Sequence, residues 1–317
     1  MKKIAILVAA ALLACAGHAL AQYPTKPVKL LVPFPAGSAT DQVGRLIGQQ
    51  LQATLGQPFV VENRPGAQGS IAAAEVARAA PDGYTLLVTT NTPQAANVSL
   101  FKKLQYDPVK DFTPLARMGT TSFVLMTKTD FPAKNLKEFI AHVKGQPGKL
   151  SQGYGSAGSQ VSGSMLKSMA KLDFVEVPYK GIPQAITDVL GGSLAFTFVD
   201  LGNAMGQLKG GKMKGLGVTS ARRSAVVPDI PAIAEELPGY ELIAWFALMA
   251  PANTPKDVVA KLQDATLASL AKADIKERFQ GIGVDVGPMN SEQLGKFIPA
   301  EIAKWARLTK EAGIQAE

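Results

Sequence analysis

A turn between an apolar strand and a helix lies near the start of the chain and reads Val32-Pro33-Phe34-Pro35-Ala36-Gly37-Ser38-Ala39-Thr40-Asp41. The β-branched run Val28–Phe34 predicts the strand, and the helical period of apolar residues over Asp41–Leu55 predicts the helix. The first N–H groups of a helix lack internal partners and lie at the positive end of its dipole, so this turn can bind an anion. An ordinary turn capped by Ser38 or Thr40 explains the same residues and stays open as the alternative.

The same alternation of short β-branched runs and helical-period segments continues along the chain and is typical of α/β layers. Further strands are predicted at Phe59–Glu62, Tyr84–Thr90, Phe123–Thr127, Lys149–Tyr154, Phe174–Pro178, Leu194–Asp200, Lys214–Thr219 and Tyr240–Ala250. Further helices are predicted at Ser70–Ala80, Asn135–Lys144, Val161–Lys171, Pro183–Leu190, Pro255–Ala271, Asp274–Gln280 and Ser291–Ala312. The segment between Tyr106 and Pro114 is predicted to be irregular.

This order of elements predicts an α/β protein of two lobes, each a mainly parallel sheet flanked by helices. We expect lobe 1 to comprise residues 22–120 plus 247–317, because the C-terminal helices should pack back on the first lobe, and lobe 2 to comprise 121–246. The crossovers are expected near Gly119–Thr121 and Ile243–Phe246. A ligand cleft is expected between the lobes, where the carboxyl ends of strands face helix N-termini.

Residues 1–21 have the pattern of a secretory signal peptide. Lys2-Lys3 is its basic region, Ile4–Ala14 its apolar region and Ala19-Leu20-Ala21 its cleavage site. We therefore expect export, with cleavage near Ala21. The only cysteine, Cys15, falls inside this segment, so neither a disulfide nor a cysteine-ligated metal site is expected after cleavage. A lipidated Cys15 is the alternative.

The composition is that of a globular protein, with 47% apolar and 18% charged residues. The formal net charge is +8, from 33 basic and 25 acidic residues, and the basic residues are spread without runs. Nucleic-acid binding would need a clustered basic stripe with aromatic platforms, so we expect no nucleic-acid partner.

A second loop of small residues, Gly153-Tyr154-Gly155-Ser156-Ala157-Gly158-Ser159-Gln160, also follows a predicted strand. Its glycines match G-x-G-x-x-G, and Glu176 lies 18 residues further on, as in a dinucleotide fingerprint. The preceding strand is too polar for a buried central strand, which argues against that interpretation. Two anion-binding loops, one in each lobe, instead indicate a clamp on a ligand with two carboxylates.

Catalytic and metal sites have little support in the sequence. His142 is the only histidine outside the signal peptide, and it lies off the apolar face of its predicted helix. A serine hydrolase would need a G-x-S-x-G elbow, which does not occur. Asp41 and Asp200 could form an acid/base pair, although Asp41 is equally explained as a complement to the helix dipole. We expect no cofactor, no metal and no enzymatic activity.

Several motifs, taken together, resemble the Bug-type periplasmic solute receptors of tripartite tricarboxylate transporters. They are Pro33-Phe34-x-Ala36-Gly37-x-x-x-Asp41, Val61-Glu62-Asn63-Arg64-Pro65-Gly66-Ala67-x-Gly69, Asp82-Gly83-Tyr84-Thr85-Leu86-Leu87, Tyr106-Asp107 with Asp111-Phe112, Tyr154-Gly155-Ser156-x-Gly158, Val177-Pro178-Tyr179-x-Gly181, Pro228-Asp229-x-Pro231 and Ala250-Pro251-x-x-Thr254-Pro255. The chain departs from the family pattern at Ser38 and Gln68, where the family usually has glycine.

The resemblance implies a two-lobed periplasmic-binding-protein fold that closes on a carboxylated solute and delivers it to membrane permease subunits. In the family, the amides of the first loop hold one carboxylate, partly through water. Carried over to this chain, the ligand site comprises Phe34, Ala36, Gly37, Ser38, Ala39, Thr40, Asp41, Thr90, Asn91, Ser156, Ala157, Gly158, Ser159, Gln160, Tyr179 and Asp200. Asp41 would be structural or water-bridging.

Two other functions stay open at this stage. A ligand-sensing module that signals to a membrane kinase would need the same closing clamp. An exported enzyme using Asp41 or Asp200 is the third possibility, and the absence of a nucleophile–base pair weighs against it. The sequence does not identify the carboxylate, and a monomer is expected for a shuttle between periplasm and membrane.

Overall fold

The computed structural model describes residues 23–317, so the predicted signal peptide, its cleavage site and Cys15 lie outside the described residues. The strands are β1 Val28–Val32, β2 Phe59–Asn63, β3 Thr85–Thr90, β4 Phe112–Thr121, β5 Phe123–Lys128, β6 Ser151–Tyr154, β7 Val175–Pro178, β8 Phe196–Asp200, β9 Met213–Val218, β10 Ala244–Pro251 and β11 Asp285–Met289. The helices are α1 Ala39–Leu55, α2 Ser70–Ala77, α3 Asn97–Leu100, α4 Leu136–Lys144, α5 Ala157–Ala170, α6 Ile182–Gly191, α7 Leu201–Lys209, α8 Lys256–Ala271, α9 Ala273–Gly281 and α10 Ser291–Glu311. A π-helical turn, Thr92–Ala96, precedes α3. None of the helices within residues 23–317 combines the length and apolar character that crossing a bilayer requires.

The strands form two sheets flanked by helices, which confirms the predicted two-lobed α/β fold. The first sheet has the order β11-β4-β10-β3-β1-β2, and the second has the order β7-β6-β8-β5-β9. The chain passes from the first sheet to the second at Ser122, between β4 and β5, and returns between β9 and β10. The crossovers therefore lie at or beside the two segments predicted for them.

Both sheets are mixed rather than mainly parallel. The pairs β1–β2, β1–β3, β6–β7 and β6–β8 are parallel, whereas β10 is antiparallel to β3 and β4, and β5 is antiparallel to β8 and β9. The antiparallel strands include those on either side of the two crossovers. A strand that leaves a sheet and one that returns to it run in opposite directions when they pair as neighbours, which accounts for the antiparallel pairs β4–β10 and β5–β9.

Four of the described strands and helices were not predicted from the sequence, and the shortest of them is α3, a single turn. β4 occupies part of the segment predicted to be irregular, and its pairing with β10 shifts register beside Pro114, which lacks the N–H that a regular ladder uses. β11 is a short edge strand on β4. α7 contains Gly202 and Gly206, which weaken the helical signal of its sequence.

The C-terminal helix α10 packs on the first sheet through two buried tryptophans. Glu301 of α10 is 5% exposed and accepts hydrogen bonds from Nε1 of Trp245 on β10 (2.8 Å) and Nε1 of Trp305 (3.2 Å). Lys304 Nζ lies 3.2 Å from its other oxygen. Because the indole N–H groups and the carboxylate are all paired, this contact fixes α10 against the strand that returns from the second lobe.

Candidate ligand-binding site

A cavity lies between the two sheets, at the point where several helices begin. Its lining residues are Phe34, Ser38, Ala39, Thr40, Thr90, Asn91, Thr92, Thr121, Phe123, Gly155, Ser156, Ile182, Asp200, Ala244 and Phe246. They include residues at the starts of α1, α5 and α6, and Asp200 precedes α7. Since a helix N-terminus presents unpaired N–H groups and a positive dipole end, this convergence favours an anionic ligand without any cationic side chain in the lining.

The turn from β1 into α1 is held in shape by Asp41, which is 3% exposed. Its carboxylate accepts hydrogen bonds from Gly37 N (3.0 Å), Arg45 Nε (3.0 Å) and Asn63 Nδ2 (2.9 Å). Burial would raise the pKa of Asp41, but these hydrogen bonds outweigh it and hold the pKa below its ordinary value. Gly37 has φ +81°, which few other residues adopt. Asp41 therefore organises the loop from behind and does not line the cavity.

The same turn offers free donors to the cavity. Ser38 caps α1, since its hydroxyl accepts from Asp41 N (3.3 Å) and its own N–H donates to Pro35 O (3.1 Å). Among the hydrogen bonds formed within residues 23–317, none uses the N–H of Ala39 or Thr40. Both residues line the cavity, so their main-chain N–H groups are free donors of the kind that the sequence analysis expected in this loop.

A third donor comes from the end of β3. Asn91 is 1% exposed, and its Nδ2 has no hydrogen-bond partner within the described part of the chain. A buried amide without a partner is costly, and an oxygen atom of a ligand in the cavity would satisfy it. Neighbouring Thr90 already accepts a hydrogen bond from Thr92 N (3.1 Å).

The second loop belongs to the first turn of α5, which begins at Ala157 and not at Val161 as predicted. Ser156 is the N-cap and accepts from Ser159 N (3.3 Å), while Ser159 Oγ accepts from the N–H groups of Gly155 (3.0 Å) and Ser156 (3.2 Å). Ser159 is fully buried and therefore shapes the loop from inside. Gly155 and Ser156 are the two residues of this loop that line the cavity.

Each glycine of the G-x-G-x-x-G match has a packing role. A Cβ would lie 2.4 Å from Leu194 at Gly153, 2.1 Å from the Gly181 backbone at Gly155 and 2.2 Å from the Phe123 ring at Gly158. Glu176, the candidate ribose ligand, accepts a hydrogen bond from Ser164 (2.6 Å). The spacing therefore follows from close packing around α5 and gives no support to a dinucleotide site.

Asp200 ends β8 and is the only ionisable residue that the described chain, 23–317, contributes to the cavity lining. It is 3% exposed and caps α7, accepting from Asn203 N (3.1 Å) and from Asn203 Nδ2 at both oxygens (3.1 and 3.0 Å). Burial raises the pKa of the Asp200 carboxyl, although the hydrogen bonds from Asn203 act in the opposite direction. Asp41 is not a lining residue, so the two acids do not share the cavity as an acid/base pair would.

The structure separates the predicted site residues into two groups. Those that line the cavity are Phe34, Ser38, Ala39, Thr40, Thr90, Asn91, Ser156 and Asp200. Those outside the lining are Ala36, Gly37, Asp41, Ala157, Gly158, Ser159, Gln160 and Tyr179. Several of the second group support the site: Ala157 N donates to Thr92 Oγ1 across the cleft (3.2 Å), and Gln160 accepts from Gln68 (2.8 Å). Tyr179 donates to Asp188 (2.6 Å).

Seven lining residues were not predicted from the sequence. They are Thr92, Thr121, Phe123, Gly155, Ile182, Ala244 and Phe246. Gly155 lies inside a recognised motif and Ile182 directly follows another, so these two positions had a usable signal. Phe123 and Phe246 gave no sequence signal of a ligand site, because an apolar residue in a strand is ordinarily part of the core.

Metal binding has no structural support in the described chain, because residues 23–317 contain no group of three or more His, Cys, Asp or Glu side chains placed to hold an ion. His142 bonds to Gln146 (2.8 Å), contacts the Phe131 ring and does not line the cavity. The cavity is therefore built from main-chain amides, neutral polar side chains, apolar side chains and one carboxyl group.

Comparison with known proteins identifies the family. The model of the family described as "Tripartite tricarboxylate transporter family receptor" matches residues 43–314 of this chain. Protein BugT of Bordetella pertussis is 32% identical over 297 residues, 92% of this chain and 90% of that protein. Among solved structures, R. palustris Rpa4515 with adipate has a TM-score of 0.91 at 32% identity, covering 93% of this chain and 100% of that one. MatC from Rhodopseudomonas palustris with bound malate has a TM-score of 0.84 at 36% identity, covering 90% and 99%. The chain therefore belongs to the tripartite tricarboxylate transporter receptor family, which confirms the resemblance to Bug-type solute receptors found in its sequence.

Proposed function

We propose that this protein captures a small carboxylated solute between its two lobes and delivers it to the permease subunits of a tripartite tricarboxylate-type transporter. The observation that carries the proposal is the pair of unpartnered N–H groups at Ala39 and Thr40, which open onto the cavity between the sheets. A carboxylate there would accept from main-chain amides at the positive end of α1. The adipate and malate of two solved relatives are carboxylates as well.

The proposed site comprises the predicted residues that line the cavity, joined by the newly found apolar residues. The predicted residues outside the lining would act by shaping the loops and by holding the lobes together. The lobes would be residues 22–120 plus 247–317 and residues 121–246. Closure would sequester the ligand, and contacts such as Ala157 N to Thr92 Oγ1 (3.2 Å) would form only when the lobes meet.

The same proposal covers location and assembly. The protein would be cleaved near Ala21, reside in the periplasm and act there as a monomer without cofactor, catalysis or nucleic acid. Mass spectrometry of the native protein would detect Gln22 as the first residue. A diacylated Cys15 at that terminus would contradict this part of the proposal, and gel filtration would test the monomer.

A thermal-shift panel of small mono-, di- and tricarboxylates, their amides and nicotinamide nucleotides tests the function. A ligand that binds only the folded protein stabilises it by about 2.7 kcal/mol at a hundredfold excess over Kd. We expect at least one carboxylate to raise the melting temperature, its amide to have no effect, and the ligand to be recovered unchanged. Steady consumption of the ligand would indicate an enzyme, and a response to nucleotides alone would exclude a carboxylate receptor.

A further inference from the structure

The ionisable side chain that residues 23–317 contribute to the cavity lining has the same sign of charge as a carboxylate ligand, although the helix N-termini around it favour an anion. Among the lining residues that the structure describes there is no lysine, arginine or histidine, and the single ionisable group among them is the carboxyl of Asp200. That group forms no ion pair with any residue in the range 23–317. A buried carboxylate without a countercharge is unfavourable, so its presence in a ligand cavity requires an explanation.

Capping explains only part of this. Asp200 is the N-cap of α7, but asparagine and serine cap helices about equally well and carry no charge. Both oxygens of Asp200 accept hydrogen bonds from Asn203, so the cap holds the carboxyl group in one orientation. Its Oδ2 accepts only one of these hydrogen bonds and therefore retains acceptor capacity.

The donors and the acceptor belong to different walls of the cavity. The free amides of Ala39 and Thr40 and the unpartnered Nδ2 of Asn91 come from elements of the first sheet's lobe. Asp200 comes from β8 of the second sheet. A ligand that spans the closed cleft therefore meets these free donors on one side. On the other side it meets an acceptor with negative charge, beside the N-termini of α5 and α6.

We infer that Asp200 is a specificity-determining residue, which selects carboxylates that also carry a hydrogen-bond donor, an ammonium or a hydroxyl group, facing the second lobe. The inference rests on the proposed carboxylate-binding function. A donor at that place restores a partner to the buried carboxylate, whereas a second ionised carboxylate there would be repelled by it. The phenyl rings of Phe34, Phe123 and Phe246 are available to contact the carbon skeleton between the two polar ends.

Matched acids test this, because each series differs only in the donor. Calorimetry at pH 7 would compare butanoate, 2-hydroxybutanoate and 2-aminobutanoate; succinate, malate and aspartate; and 3-phenylpropanoate, phenyllactate and phenylalanine. We expect a donor-bearing acid of at least one series to bind at least tenfold more tightly than its donor-free match. Within that series, whichever of the hydroxy acid and the amino acid binds the wild-type protein more tightly shows whether Asp200 prefers a hydroxyl or an ammonium donor.

Two variants then attribute the preference to Asp200, and both retain a capping residue for α7. Asp200→Asn keeps an acceptor oxygen without the charge, and Asp200→Ser removes both from the cavity. A preference for ammonium should fall to threefold or less in both variants, whereas a preference for hydroxyl should survive in Asp200→Asn and disappear in Asp200→Ser. Asp264→Asn removes the same charge from an exposed position on α8 and should leave every affinity unchanged.

The outcomes separate this inference from the proposed function. One outcome is that acids bind but each donor-free acid binds as tightly as its donor-bearing counterparts; another is that a preference survives in Asp200→Ser. In either case Asp200 does not select the ligand, and the receptor function stands. If neither these three series nor the carboxylates of the thermal-shift panel bind the wild-type protein, the proposed function fails and this inference fails with it. If another acid of that panel binds instead, that acid and its hydroxy and amino derivatives form the decisive series. Circular dichroism and thermal melting of the ligand-free variants would verify that both are folded.

Discussion

At the scale of single residues, the two buried aspartates have opposite environments. Asp41 accepts three hydrogen bonds, one of them from a cationic arginine, and its pKa is lowered. Asp200 accepts hydrogen bonds from the uncharged amide groups of Asn203 and from no cation within residues 23–317, and burial raises its pKa. The first is therefore a structural group of the loop, and the second is a group whose charge is unfavourable until a ligand arrives.

This contrast predicts how Asp200 affects stability. The folded protein holds the Asp200 proton more tightly than the unfolded chain does. The contribution of this group to the free energy of unfolding therefore falls as the pH rises above 3.8, its ordinary pKa. Asp200→Asn should therefore stabilise the ligand-free protein at pH 7 and have little effect at a pH below that value. Urea unfolding of both proteins at the two pH values measures the difference. A variant less stable than wild type at pH 7 would show that the charge is already compensated without ligand.

The amide donors can be tested one at a time at Ala39. This residue is the first of α1, where proline is favoured, and Ser38 before it is extended, as a residue before proline prefers. Ala39→Pro should leave the melting temperature unchanged but weaken carboxylate binding by about 1.5–3 kcal/mol, the value of a hydrogen bond to a charged group. Calorimetry measures this against Ala39→Ser, which keeps the N–H. Equal affinities for the two variants would place the carboxylate elsewhere.

At the scale of elements, the sequence predicted most strands and helices because their apolar periods are strong. It failed where local propensity and tertiary pairing disagree. β4 contains Pro114 and Gly119, which disfavour a strand, yet the ladder with β10 holds it in the sheet. The start of α5 was missed for a related reason, since a run of glycine and serine has low helix propensity and depends on the Ser156–Ser159 capping interaction.

The docking of α10 rests on a contact that periodicity could not show. Glu301→Ala would leave the indole N–H groups of Trp245 and Trp305 buried without an acceptor, at a cost of about 1–3 kcal/mol each. Glu301→Gln keeps one oxygen acceptor and should cost less. Urea denaturation compares both with Glu311→Ala, an exposed change on the same helix that should stay within about 0.5 kcal/mol of wild type. If Glu301→Ala were as mild as that control, packing alone would hold the helix.

At the scale of the whole molecule, the binding cleft combines features that sequence can and cannot reveal. The two loops could be predicted because each is a run of small and polar residues between a strand and a helix, which is the pattern of an accessible helix N-terminus. The apolar wall formed by Phe123 and Phe246 could not, since these rings come from strands of different sheets and face one cavity only after both crossovers are formed. The cleft is a property of how the lobes meet, and the contacts that cross it should control ligand affinity.

Gln68 makes one of these cross-lobe contacts, a side-chain hydrogen bond. It precedes α2 with φ 49° and donates from Nε2 to Gln160 Oε1 on α5 (2.8 Å). A bond present only in the closed form contributes to affinity by favouring the binding-competent state. Gln68→Ala and Gln160→Ala should each weaken carboxylate binding by about 0.5–1.5 kcal/mol, the net value of one hydrogen bond.

A double-mutant cycle distinguishes this bond from unrelated effects. If the two side chains act through each other, the double variant should bind no more weakly than either single variant, whereas independent effects would add. Gln52→Ala, an exposed glutamine on α1, is the matched control and should bind as wild type does. Small-angle scattering should give the liganded variants the same radius of gyration as wild type, because the closed form is reached but is less favoured. Additive losses in the cycle would show that Gln68 and Gln160 serve their own lobes, and closure would then depend on other contacts, such as Ala157 N to Thr92 Oγ1.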